Sequence, residues 1–444
     1  MNREWLNHLL ASGRGDGLRA QLLRGGMGVG LLKMLSLPLM LLATILLARG
    51  LGPEGFGQYA FVIALITTLS IPLGPALMQL TTRETAGMHQ AGEEDRIRSL
   101  LHWANRHVWI GSMLIVATVG GIAVWMTDWR VDDRWALLLL GLVALPLLGF
   151  SAVRSGILAG LRRVVLGQLP DLFVRPLVLL IVTGVLLLVG VLNPATAMAA
   201  FIAGVALAFV VSVVLLRRTF PEGGAASEPI QPEQNRQWIR AWMPFTLLMA
   251  ASTLNSQVGI LLLGWLGSNE EVAAMQVADR GGMLVVLSLT VVNLVIGPHI
   301  TRVHRSGDSA QLQALSRHSA RMALLVALPI ALPLIFFGAP ILNTVFGAEY
   351  AEIATLPLAI LAIAQLINVA FGSIGMLLTM SGFERDTLRG QVFALVINVI
   401  AAMVLIPIYG VAGAAFAAAL GLVMWNVVLA FLVMSRLDIR PGLV

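Results

Sequence analysis

Cysteine is absent from this chain, and lysine occurs once, at position 33. The first absence excludes disulfides, thiolate nucleophiles and cysteine-based metal sites. Charge is scarce as well: Asp, Glu, Lys and Arg make up 12% of the 444 residues, against 58% apolar residues. Soluble domains carry about 25% charged residues, so an aqueous globular fold is excluded. The phosphate loop GxxxxGK[ST] and the HExxH and GxSxG patterns are missing too. That removes direct nucleotide drive, a zinc hydrolase centre and a serine hydrolase elbow. No cofactor and no metal is implied, and the chain is not expected to be an enzyme. A membrane glycosyltransferase or polymerase is the enzymatic alternative, but it would want a long outer loop to hold its acceptor. None expected here exceeds about fifteen residues.

What the chain does have is long apolar runs, with a mean hydropathy of +0.88. Crossing the hydrocarbon takes roughly 20 apolar residues per helix, and about twelve such segments are present. They lie near 26–49, 56–82, 104–126, 135–157, 168–190, 194–216, 242–266, 271–299, 319–339, 354–380, 388–409 and 411–435. The expected fold class is an all-α polytopic membrane protein with the lipid bilayer as its solvent. No short apolar segment with a small-residue cleavage site precedes the first span, so no cleaved signal peptide is expected.

Arginine sets the orientation, because cytoplasmic loops are enriched in basic residues. With the N-terminus inside, 23 arginines fall in inner segments and three, Arg49, Arg130 and Arg134, in outer ones. Both termini are then cytoplasmic. The net charge of +6 follows this topology and forms no single patch with interleaved aromatics, which argues against nucleic acid as a partner. Tryptophans at 125, 129, 135, 238, 242 and 265 cluster at expected helix ends and read as interfacial belts.

The longest polar break, 217–240, is rich in Pro, Gly and Glu and divides the spans six and six. This gives a cytoplasmic segment 1–25, an N-lobe 26–218, a linker 219–241 and a C-lobe 242–444. Short marks recur at corresponding points: Leu51-Gly52 with Leu266-Gly267, and Gly160-Leu161 with Gly382-Phe383. Six is even, so the halves would be parallel repeats around a central cavity.

The stretch ARGLGPEGFGQYAF (48–61) interrupts two apolar runs with four glycines, a proline and two charges. A tight outer turn explains the glycines and the proline but not Glu54. This stretch, with LAGLRR (158–163), VFGAEY (345–350) and the twelve-helix layout, resembles the bacterial oligosaccharide and polysaccharide flippases. That family includes the Wzx-type O-antigen flippases of the multidrug/oligosaccharidyl-lipid/polysaccharide exporter superfamily. The resemblance implies translocation of an undecaprenyl-diphosphate-linked oligosaccharide across the bacterial cytoplasmic membrane by alternating access. The pathway implied is O-antigen or exopolysaccharide biosynthesis, with polysaccharide polymerase or export proteins as further partners. In such flippases basic residues of spans one, two and eight hold the diphosphate, and Lys33 and Arg280 match by position. Span two departs from that pattern, with only Arg83 at its inner end. A drug/cation antiporter of the same superfamily is the alternative.

Ionisable groups inside a membrane are costly and mark function by default. Lys33 lies about two turns into span one, where snorkelling is the competing reading. Asp171 and Arg175 in span five are four apart, the spacing of an intrahelical pair; Arg175 is also a candidate for the diphosphate. Asp279 and Arg280 in span eight point roughly 100° apart, so each needs a partner elsewhere. Without a nucleotide site, a proton or sodium gradient is the expected drive, with Asp279, Asp171 and Glu54 as candidate coupling acids. Ser252, Asn255 and Ser256 share one face of span seven with Gly259. They could meet sugar hydroxyls or simply let helices approach.

Overall fold

In hydrocarbon no water satisfies backbone N–H and C=O groups, so the apolar runs fold as helices that close their hydrogen bonds internally. The computed structural model describes residues 18–127, 133–220, 231–306 and 308–442. Residues 1–17 of the expected N-terminal segment, the outer acidic stretch 128–132 and the middle of the linker, 221–230, lie outside the described residues.

The chain runs through α1 (Leu18–Leu69), α2 (Pro75–Ala91), α3 (Glu94–Thr127), α4 (Asp133–Leu142), α5 (Ala144–Gly160) and α6 (Val164–Leu169). A π-helical turn (Pro170–Val174), α7 (Arg175–Val189) and α8 (Pro194–Thr219) follow. Then come α9 (Pro232–Leu266), α10 (Asn269–Ser306), α11 (Ser309–Phe336), α12 (Gly338–Val345), α13 (Ala348–Phe371), α14 (Ile374–Met380) and α15 (Glu384–Leu437). Ten helical stretches among the described residues are long and apolar enough to cross a membrane.

Two of the ten are long enough to do so twice. At 52 and 54 residues, α1 and α15 would each extend roughly 80 Å if straight, far beyond a bilayer. Each breaks at one glycine with left-handed φ: Gly52 at 67° and Gly410 at 54°. In α15 the break reverses the chain, since Arg436 Nε lies 3.0 Å from Asp386 Oδ2 across fifty residues of sequence. Counting both legs of each gives the twelve spans expected.

Prolines account for two further irregularities. Between α1 and α2, Pro75 has no N–H to offer Ile71, whose carbonyl accepts from Ala76 instead at 3.1 Å. That leaves the Pro72 carbonyl to an outside donor, the Trp242 indole, at 2.8 Å. In span five, Pro170 and Pro176 bracket the π turn, and the Arg175 N–H reaches back five residues to the Pro170 carbonyl. Such turns are frequent at functional sites.

The loops after α5 and α14 share one backbone design. Arg162 (φ 62°) and Gly382 (φ 87°) are left-handed. Arg162 and Arg163 donate to Ala159 and Leu158 just as Gly382 and Phe383 donate to Thr379 and Leu378. Arg162 thus corresponds to Gly382, two residues away from the register suggested by the Gly-Leu and Gly-Phe marks.

The helices pack as two compact units. Unit one comprises Met1–Ala43, Leu69–Val185 and Ala199–Leu247, as far as these are described. Its core includes Leu77, Leu80, Leu100, Trp103, Val108 and Ile157. Unit two comprises Thr44–Thr68, Leu186–Met198 and Leu248–Val444, with Ile296, Ile300, Leu377, Leu429 and Val433 in its core. Helix α9 begins at Pro232, inside the stretch expected as a linker, and Trp238 is 2% exposed within the core of unit one. The Pro- and Glu-rich composition masked an apolar face at 238, 241, 242 and 245, all of which pack on that core.

Candidate functional site

The glycine-rich stretch 48–61 forms the turn between the legs of α1, and in unit two it meets VFGAEY. Arg49 Nε donates to the Val345 carbonyl at 2.8 Å, and its Nη2 donates to the Thr344 carbonyl. The Tyr350 hydroxyl donates to the Ala48 carbonyl at 3.1 Å. Phe56, Tyr59, Phe346 and Tyr350 pack ring to ring beside this junction, with the centroids of neighbouring rings 6.0 to 6.5 Å apart. Gly57 is needed for contact rather than for its dihedrals: a Cβ there would lie 1.8 Å from the Asn269 carbonyl oxygen. Glu54 is exposed.

Asn269 opens α10 through a capping box. Ser268 Oγ accepts from the Glu271 N–H at 3.2 Å while Glu271 Oε2 accepts from the Ser268 N–H at 2.9 Å. The same carboxylate accepts from the Val411 N–H at 3.2 Å, tying the start of α10 to the break at Gly410.

Asp279 and Arg280 lie ten and eleven residues into α10, about 15 Å from its start. Both are half-buried. They do not pair with each other, and Asp279 makes no hydrogen bond or ion pair among the described residues. Among the described residues, Arg280 Nη1 donates to the Met283 sulfur, at 3.4 Å, and Arg280 Nε is buried with no acceptor. The next two residues are glycines packed on α13, where a Cβ on Gly281 would lie 2.3 Å from Leu358. The sequence Asp-Arg-Gly-Gly thus sets two unpaired charges beside a close helix crossing. Leaving a buried guanidinium donor without an acceptor is costly.

The other candidates are dispersed. Lys33 is exposed, yet it lies on the side of α1 opposite the bare apolar stripe of Leu31, Leu35 and Leu42, which are 60, 47 and 50% exposed. Asp171 and Arg175 form the i,i+4 pair at 3.5 Å in unit one. Gly204 brings α8 close to Arg175, where its Cβ would lie 3.1 Å from that residue's carbonyl oxygen. The expected polar face of span seven divides: Ser252 and Ser256 are exposed, whereas Asn255 accepts from Asn398 Nδ2 at 3.2 Å and Gly259 packs on Met275.

Several embedded polar groups escaped the sequence reading. Asn426 Nδ2 donates to Asn368 Oδ1 at 3.0 Å, and the Ser373 hydroxyl donates to Asn293. Asp386, 7% exposed, holds Arg389 at 3.2 Å and Arg436 at 3.0 Å. Arg154 stands in α5 among Phe150, Phe209 and Asn105. Asparagine gives no periodic signal, and Arg154 reads from the sequence as one of the 23 inner-segment arginines.

Comparison with known proteins agrees with this architecture. Over 188 residues the chain is 27% identical to the "Probable low-salt glycan biosynthesis flippase Agl15" of Haloferax volcanii. That match covers 42% of this chain and 39% of the relative's length. An inward-facing multidrug resistance MATE family transporter of the MOP superfamily has the same fold, with a TM-score of 0.74, 15% identity and 97% of both chains covered. The lipid II flippase MurJ, in its inward closed conformation, gives a TM-score of 0.72 at 13% identity over 91% of this chain and 87% of that one. Residues 22–304 match the polysaccharide biosynthesis protein family, and the chain belongs to that family.

Proposed function

We propose that this protein is a flippase that carries a polyprenyl-diphosphate-linked oligosaccharide from the inner to the outer leaflet. Undecaprenyl diphosphate is the expected carrier, and the bacterial cytoplasmic membrane, with both chain termini inside, is the expected location. One observation carries the reading: Arg280, deep in α10, keeps a buried donor without an acceptor in a chain of the polysaccharide biosynthesis family. Burying a cation costs several kcal/mol unless an anion or water compensates. A lipid diphosphate supplies that anion in each transport cycle, and the planar guanidinium offers it two parallel donors. Lys33 is proposed as a second, mobile cation for the same group. Asp279, beside Arg280 and equally unpaired, is proposed to exchange a proton or sodium ion and so link transport to a gradient. Ser252 and Ser256, exposed on α9, are proposed to meet sugar hydroxyls.

Conditional depletion tests this reading. Loss of the protein should trap lipid-linked oligosaccharide in the inner leaflet while its synthesis continues. Normal export of the glycan after complete depletion would overturn it.

A further inference from the structure

We infer that a pocket at the end of α15 binds the headgroup of an aminophospholipid, with Arg317 and Arg440 on its phosphate and Asp438 on its ammonium. The pocket lies wholly in unit two, has a volume of about 410 Å³ and is lined by Gln313, Arg317, Met434, Asp438, Ile439 and Arg440. That is room for a small polar ligand. The chain builds it by turning back at Asp438, whose left-handed φ of 53° ends α15. The segment that follows is fixed on α11 by its backbone. Gln313 holds both groups of Arg440, its Oε1 accepting from the N–H at 2.6 Å and its Nε2 donating to the carbonyl. The Gly442 N–H donates to Ser316 Oγ at 3.2 Å, and Ile439 is 4% exposed in the core of unit two.

The charged side chains take no part in this docking. Among the described residues neither guanidinium, of Arg317 or of Arg440, makes a hydrogen bond or ion pair, and Asp438 pairs with neither. Two cations and one carboxylate with unused hydrogen-bonding capacity around one pocket match a ligand that carries phosphate and amine together. Phosphate oxygens take the planar fork of an arginine, and an ammonium offers three donors to a carboxylate.

Depth and flanks make that ligand a lipid. The second leg of α15, 411–437, extends about 40 Å, the thickness of a bilayer with its headgroups. A pocket at its end is therefore at headgroup level. From the pocket into the span, both lining helices bare apolar side chains: Arg317, Arg321 and Leu325 follow one face of α11, and Met434 and Phe431 one face of α15. Leu325 and Phe431 are 65 and 67% exposed, a surface for acyl chains rather than water. A free phosphate compound would use only the polar end.

Native mass spectrometry of the full chain in non-ionic detergent tests the site without reference to transport. Dioleoyl phosphatidylethanolamine should form more adducts than phosphatidylcholine, whose methylated ammonium has no proton to donate. Arg317→Gln and Arg440→Gln should each reduce them about fivefold, the effect of one basic residue near a membrane surface, whereas Arg218→Gln, at the end of α8, should not. Asp438→Asn should equalise phosphatidylethanolamine and phosphatidylglycerol. Both pocket arginines are exposed, so their variants keep the packing of the fold; should one fail to fold, the other carries the test. Equal phosphatidylethanolamine adducts in wild type and a folded arginine variant would overturn the inference, as would a preference for phosphatidylethanolamine over phosphatidylglycerol that survives in Asp438→Asn. So would Arg317-dependent binding of inorganic phosphate or undecaprenyl phosphate without binding of phosphatidylethanolamine.

Discussion

Arg49 donates through Nε to the Val345 carbonyl at 2.8 Å and through Nη2 to the Thr344 carbonyl. Both belong to the last turn of α12, whose carbonyls have no partner within the helix and carry the negative end of its dipole. A cation at that end satisfies them, and the Tyr350 hydroxyl fastens the same junction through Ala48. Arg49→Ala should cost about 1 kcal/mol and lower the melting temperature of the purified protein, with Arg49→Lys losing less. A double variant, Arg49→Ala with Tyr350→Phe, that melts like the wild type would show that the junction contributes nothing.

Trp238 anchors the end of the linker in unit one, and Trp103 Nε1 donates to Asn235 Oδ1 at 2.7 Å beside it. Trp238→Ala should cost about 3 kcal/mol or more, as other buried Trp truncations do, and reduce the amount of folded protein in the membrane. Cutting the gene near Gly224 and co-expressing the halves should restore glycan export. A cut between Ala241 and Trp242 should not, because it severs the docked helix from span seven. Full export from the second cut would refute an anchoring role.

Twenty-three arginines against three make the orientation testable in this cysteine-free chain. A cysteine introduced at position 228 should react with an impermeant thiol reagent only after the cells are opened. Labelling in intact cells would reverse the orientation.

Asp279→Asn keeps the volume of the side chain and removes its ability to ionise. The variant should reach the membrane normally yet lose acceleration by an imposed proton or sodium gradient in proteoliposomes. Gradient-dependent transport at the wild-type rate would transfer the coupling role to another group.

The spans were legible because lipid demands long apolar helices, and positions such as 194–216 and 411–435 need no tertiary knowledge. The stretch 48–61 was legible as a turn, but not its partner: nothing local to Arg49 points to Val345, 296 residues away. Gly57 read as a source of flexibility and proved to be a contact with Asn269. Asp279 and Arg280 stood out because charge in a span is rare. Asn398 and Asn426 did not, since their burial, at 2 and 1% exposure, depends on which helices meet. Trp238 reads from the sequence as an interfacial aromatic, because the prolines and glutamates before it hide the helix that packs it into the core of unit one.

Arg280 is proposed to hold the diphosphate of a lipid-linked oligosaccharide during translocation, and a reconstituted assay tests this most directly. Proteoliposomes loaded on one leaflet with a fluorescent polyprenyl-diphosphate oligosaccharide report its arrival on the other by accessibility to a quencher. Wild type should move the lipid. Arg280→Ala should slow it at least tenfold, roughly the 1.5–3 kcal/mol of a charged hydrogen bond. Arg280→Lys should fall between, because it restores the charge without the fork. Transport by Arg280→Ala at the wild-type rate and equal expression would contradict the account.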